Sequence, residues 1–343
     1  MKHIERRKLL RTAAGLASVA AVGSTAGCLD SAPSTAESSD VLDAIPAGAD
    51  AVAYANVDTI RQDEGVKTLT NTHLEQRSQY EYYDGPEDFD GLLGHIEDEW
   101  ETDPSNVHEA TVFSEFGGTD DELFAEYGGV VLRADLEAED VKRGLENVEN
   151  IDFSEVEHSG SVVYEPESAD GRWVGSLSTD RVVVGTEDAV YDAIDVQNGD
   201  SDTIDSEVEN AYTETRDAPV RFAGRMPSPS DNPAVPESVA KRSDEPIDLT
   251  PLDDVDTLRG SVYRDDDVRG LETTLAASDR DAAADATDVV TELRDRAQSS
   301  IPYGSVADLV GDISVEQDGS SVKASLRKTV SELDSVLEDT YGG

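Results

Sequence analysis

Carboxylates outnumber cationic side chains by 76 to 27 in this chain of 343 residues, and only seven of the 27 are lysine. At low ionic strength such self-repulsion opposes any compact state. Yet the apolar residues recur at strand and helix spacing, which a disordered acidic chain does not need. One solvent regime reconciles the two facts. In molar salt the Debye length shrinks to about 3 Å, so the carboxylates stop repelling one another while still holding water and cations. The surface is therefore that of a halophile's protein. The same charge excludes partners: past Arg11 there is no basic stripe to neutralise a phosphate backbone, so nucleic acid is ruled out. The anionic face of a bilayer would repel the folded part as well.

The first thirty residues carry a different signal. Glu5-Arg6-Arg7-Lys8-Leu9-Leu10-Arg11 precedes an uncharged run of small and apolar residues, Thr12 to Gly27. Basic, then apolar, then small is the order of a signal peptide, and the run is shorter than the roughly 20 residues of a spanning helix. The pair Arg6-Arg7 ahead of Lys8-Leu9-Leu10 resembles the twin-arginine export signal, with Glu5 where Ser or Thr is usual. That resemblance implies export of already folded cargo, the route by which salt-loving archaea send out much of their secretome. Thr25-Ala26-Gly27-Cys28 resembles a lipobox, with Thr25 in place of the common Leu or Val, and implies that Cys28 carries the lipid. The competing reading is an incidental cysteine lost with the signal. Against it, Cys28 is the chain's one cysteine and falls at the last position of the apolar run. An archaeal two-chain lipid would anchor firmly. With no second cysteine, no internal disulfide forms. Removing residues 1–27 takes away five basic residues and one acid and leaves the mature chain at −53.

Asp30 to Asp40, DSAPSTAESSD, has no apolar anchor and reads as a tether spanning roughly 20 Å as a coil. Folded structure is expected from Val41. Strands are predicted over Ala51–Val57, Val107–Phe113, Gly129–Arg133, Ser161–Tyr164, Trp173–Ser178 and Arg181–Gly185. Helices are predicted over 137–150 and from Thr186 onward. Pro219–Gly224, Leu258–Tyr263 and Leu271–Ala276 read as strands of a second half. A long helix follows over Arg280–Ser299, then a hairpin of Leu309–Val315 and Val322–Leu326, then a helix bearing Val330, Leu333, Val336 and Leu337. Arg172–Asp195 and Asp308–Leu337 align as strand, turn, strand, helix, with Val-Gly in the first strand of each. Pro227–Pro251, with six prolines, is the longest irregular stretch. The expectation is an α+β fold of largely antiparallel sheets with amphipathic helices packed on one face, in two similar halves, 41–218 and 219–343, behind a signal (1–27) and a lipidated tether (28–40). In layout it resembles the uncharacterised repeat-built lipoproteins of haloarchaea. That resemblance implies a place on the outer face of the cell membrane and carries no chemistry.

Catalytic motifs are missing from the sequence. His73, His95, His108 and His158 form no i, i+3 or i, i+4 pair for zinc, and His73 and His95 read as exposed. There is no G-x-S-x-G elbow, and Gly117-Gly118 and Gly128-Gly129 open no phosphate loop. Asp88, Asp90, Gly91 and Glu97 match positions 3, 5, 6 and 12 of a calcium loop whose first position is Pro86, which cannot ligate, so no metal is expected. Asp265-Asp266-Asp267 reads as a solvated turn and Trp173 as core, while Trp100 and Trp173 remain the residues able to stack on a ring. The absence of an Asn-x-Ser/Thr sequon argues against a glycosylated lattice subunit. These readings leave a cell-surface lipoprotein that works without a cofactor by binding an envelope protein or small ligand. The alternative is an exported hydrolase whose paired carboxylates hide among the rest.

Overall fold

Val, Thr and Tyr alternate with small residues along much of this chain, and the computed structural model shows where the alternation leads. It describes residues 41–80, 83–115, 127–169, 171–230, 238–239 and 246–341. Arg6, Arg7, Cys28 and the pair Gly117-Gly118 lie outside the described residues. The elements in chain order begin with β1 (Ala51–Asn56), α1 (Val57–Arg61), α2 (Glu64–Ser78), α3 (Phe89–Trp100), β2 (Val107–Ser114), β3 (Gly128–Ala134) and α4 (Ala138–Glu149). Next come β4 (Phe153–His158), β5 (Ser161–Pro166), β6 (Trp173–Ser176), β7 (Arg181–Gly185), α5 (Glu187–Asn198) and α6 (Ser206–Thr213). The remainder is β8 (Val220–Arg225), β9 (Ser238–Val239), β10 (Ile247–Asp248), β11 (Val255–Asp265), β12 (Val268–Ala277), α7 (Arg280–Ser300), α8 (Gly304–Gly311), β13 (Ser314–Asp318), β14 (Ser321–Thr329) and α9 (Val330–Tyr341).

Twelve strands join one antiparallel sheet in the order β13-β14-β12-β11-β8-β1-β2-β3-β7-β6-β5-β4, and β9 and β10 pair separately. The fold is α+β, as expected, but one sheet runs through both halves. They meet at β1 and β8, where Ala53 pairs with Phe222. Outward from β1 the neighbours are β2, β3, β7 and β6; outward from β8 they are β11, β12, β14 and β13. In each arm a helix (α4 or α7) precedes a closing hairpin whose second strand returns beside the third strand, and another helix (α5 or α9) follows. Val174-Gly175 lies in β6, whereas Val310-Gly311 lies in α8, so the Val-Gly pairing in the sequence alignment is not a structural one.

The helices occupy both faces of the sheet, not one. Residues paired across strands share a face. On the first face Val52, Phe113, Val131 and Val183 form the largest core with α5 (Val190, Ile194), α6 (Val208, Tyr212) and the entry segment Val41–Ala49. On the second, α4 covers Val174 and Val182, while α7 covers Val322 and Val255. The reason is legible in β7, where three successive valines, Val182, Val183 and Val184, feed opposite cores in turn. The long helix α7 starts on an Asp279 cap and buries Ala283, Ala286 and Val289. Leu309 lies in α8 instead of a strand: Val306, Leu309 and Val310 are spaced i, i+3, i+4, a helical set in too short a run to tell from a strand.

Candidate functional site

The middle of the first face carries a row of polar side chains where an apolar core would be expected. Tyr54 on β1, Thr111 on β2, Arg221 on β8 and Ser261 on β11 are register partners, and each is at most 6% exposed. One step toward the strand ends, Glu109 pairs across β1 with Asn56 and accepts a two-point bond from Arg133, Nε–Oε2 2.9 Å and Nη2–Oε1 2.6 Å. Burial alone would raise the Glu109 carboxyl, but the bonds and charge of Arg133 and a bond from Tyr54 hold it below its ordinary value. The Tyr54 hydroxyl is pushed up to about 12 by burial and then by the Glu109 charge.

Arg221 lies deeper. Its guanidinium carbon is 4.6 Å from the ring centre of Tyr212 on α6 and 5.4 Å from that of Tyr54, contacts in which a cation gains from aromatic faces. Tyr212 is fully buried, which raises its hydroxyl despite the attraction of Arg221 for a phenolate. Arg221 Nε and Tyr212 Oη are buried without a hydrogen-bond partner. A largely buried cation beside phenol groups can hold negative charge; the described row contains no nucleophile poised beside a base.

Elsewhere, polar side chains tie elements together. Asp63 caps α2 by accepting from Gly65 N at 2.7 Å and faces Arg269 Nη2 at 3.2 Å, with the two side chains 1% and 4% exposed. His108 bridges Asp58 (Nδ1–Oδ2 2.8 Å) and Asp135 (Nε2–Oδ2 3.2 Å), which raises its pKa. His158 stacks on Tyr191 at 4.2 Å and reaches Asp195 at 2.9 Å. A groove of about 330 Å³ between α8 and α9 is lined by Leu309, Val336 and Lys328. There the ammonium is taken up by Asp312 at 2.7 Å and Glu332 at 3.3 Å.

The residues singled out in the sequence do not converge. His73 is half-buried instead of exposed, and burial lowers its pKa; His95 is half-buried near Glu99 on α3. Asp88 is the cap of α3 and accepts from Gly91 N, so Asp90, Gly91 and Glu97 sit on a helix and cannot wrap a calcium ion. Asp266 and Asp267 form the tight turn of β11–β12, Asp266 at φ 54°. Trp173 packs against the main core and the edge of Tyr191, and Trp100 against the core under α4. Among the described residues no group of three or more His, Cys, Asp or Glu is placed to hold a metal. The row around Arg221 was not read from sequence. Its one signal is an arginine within PVRFAG, a strand otherwise apolar.

No family model and no curated protein matches the sequence. Among solved structures, the chain is similar to TP0453. Its crystal form III has 8% identity and a TM-score of 0.46 over 86% of this chain and 96% of that one. Form I has 7% identity and 0.41, over 88% and 97%, and form IV has 10% and 0.40, over 86% and 95%.

Proposed function

We propose that the chain is an exported lipoprotein of a halophile's outer surface, anchored through Cys28, that acts by binding an envelope protein or small ligand. The observation that carries this reading is the burial of the first described residues. Val41, Leu42, Ala44 and Ile45 are all buried in the largest core, and the Asp30–Asp40 stretch stands directly before them. Burial is in place from Val41, the first described residue, which suits a folded cargo behind a cleavable twin-arginine signal and a lipidated tether. No described helix is long and apolar enough to cross a membrane. A binding role fits better than hydrolysis, because the two buried carboxylates among the described residues, Asp63 and Glu109, each face an arginine.

Membrane fractionation of cells expressing the chain and its Cys28→Ser variant tests the anchor. The wild type should sediment with membranes and the variant should appear, folded, in the medium. A Cys28→Ser protein that stays on the membrane after signal cleavage refutes lipidation. Replacing Arg6-Arg7 with Lys-Lys should retain the precursor inside the cell, and unchanged export would refute the twin-arginine route. Cross-linking on intact envelopes in molar salt tests the binding role, and recovery of the uncoupled chain alone counts against it.

A further inference from the structure

Arg221 is a charge that the fold alone does not balance. It is 6% exposed on a central strand, and no described carboxylate stands within 4.0 Å of it, although acids outnumber bases almost three to one in the chain. Glu109, the carboxylate of this row, pairs through both oxygens with Arg133 and takes a further bond from Tyr54. Two buried donors on contacting side chains, Arg221 Nε–H and the Tyr212 hydroxyl, find no acceptor of their own. Buried donors are almost always satisfied in folded proteins, and a buried charge needs a counter-charge. Here the orphaned groups point to one kind of ligand, an acceptor carrying negative charge.

Size narrows the choice. Tyr54 and Tyr212 are 5% and 0% exposed, and Val208 and Ala211 of α6 are also buried beside them. A carboxylate- or phosphate-bearing molecule would have to displace these groups. A single-atom anion asks for the least displacement. In brine the abundant one is chloride, which is also cheap to dehydrate beside multivalent anions. We propose that Arg221 and Tyr212 bind a chloride ion in the core, between the sheet and α6, at the junction of the two arms. Its charge would neutralise Arg221 and fasten α6 to β8. A chloride that binds only the folded state stabilises it in proportion to the logarithm of its concentration once the site is filled.

The mature chain is melted at one fixed molar ionic strength and one cation, while chloride is exchanged stepwise for gluconate; bromide replaces chloride in a parallel series. The wild type should lose melting temperature relative to Arg221→Met as chloride is withdrawn, and bromide should restore it. Tyr212→Phe should weaken the dependence without abolishing it. Equal responses of wild type and Arg221→Met overturn the proposal, since a general effect of salt on the surface acts on both. If Arg221→Met does not fold, anomalous scattering from a bromide-grown crystal decides: a peak beside Arg221 Nε is expected, and a water there, or no peak, overturns the assignment. A general salt requirement would persist in either anion, so failure here is distinguishable from failure of the halophile reading.

Discussion

Asp63 offers a test in which a change of one atom type separates two roles. Its Oδ1 caps α2 through Gly65 and also faces Arg269, with both side chains almost wholly buried. Burial lowers the Arg269 pKa, and the Asp63 charge opposes that. Asp63→Asn keeps an oxygen for the cap and nearly the same shape but strips the charge. Removing one partner of a buried ion pair costs about 3–5 kcal/mol, because the other charge is left uncompensated. Asp63→Ala adds the lost cap, about 1 kcal/mol more. Combining Asp63→Asn with Arg269→Met removes both charges and should recover most of the loss, since apolar replacement of a buried pair is often close to neutral. Recovery falls short where Arg269 Nη1 also serves Asp266 O and Val268 O, each at 3.0 Å; such bonds are worth about 1 kcal/mol each. Denaturant melts at constant molar salt, with midpoints compared at a common slope, read the series. If Asp63→Asn costs under about 1 kcal/mol, or the two single costs simply add in the double variant, the pair is not the coupled buried unit described above.

Three further outcomes follow from the same structure. His108 is raised first by its bond to Asp58 and then, against burial, by Asp135, so its contribution is complete below the unfolded value of about 6.5 and fades as pH rises through the folded value. Melting midpoints should fall as pH rises above about 6.5 by an amount that His108→Gln removes, and an unchanged slope in that variant refutes the clamp. A Cβ on Gly185 would meet Gly128 O at 2.5 Å and Gly129 Cα at 2.8 Å, both backbone across the β3–β7 pair. Gly185→Ala should therefore cost about 1–3 kcal/mol, and a cost within about 0.5 kcal/mol would show that the strands part easily. Far-UV circular dichroism should report folding in molar potassium or sodium chloride and its loss at low ionic strength; full folding in dilute buffer would remove the basis of the halophile reading.

What the sequence disclosed depends on how local the signal was. Arg181–Gly185 and α7 were legible because one is a run of valines between polar turns and the other repeats Ala and Val at helical spacing over five turns. The stretch 57–100 was not resolved into α1, α2 and α3. There the apolar residues are sparse: α2 buries Val66, Leu69 and Leu74, and α3 buries none fully. β4 was missed because Ser154, Glu155 and Glu157 leave little apolar alternation on an edge strand. The polar row was illegible for a different reason. Tyr54, Glu109, Arg133, Tyr212 and Arg221 come from five elements, and only strand register and the packing of α6 on the sheet bring them together.

The placement of charge shows how the sheet stays single. Its open edges are β4, with Glu155 and Glu157, and β13, with Glu316 and Asp318. Edge strands invite pairing with another chain, and charge is one guard against it. In molar salt that guard cannot act at a distance, since screening confines repulsion to about 3 Å and apolar association is not weakened. It must act at contact, through the cost of stripping water and cations from carboxylates as two edges close. Several cations, by contrast, tie elements together at the surface. Arg225 joins Asp50 to Asp205, Arg259 reaches Glu214, and Lys328 draws Asp312 to Glu332. Scarce bases thus serve as cross-links between elements while surplus acids hold the solvent layer. Arg221 differs from these in its burial: at 6% exposure and with no described carboxylate within 4.0 Å, it calls for a counter-ion from the brine and not from the chain.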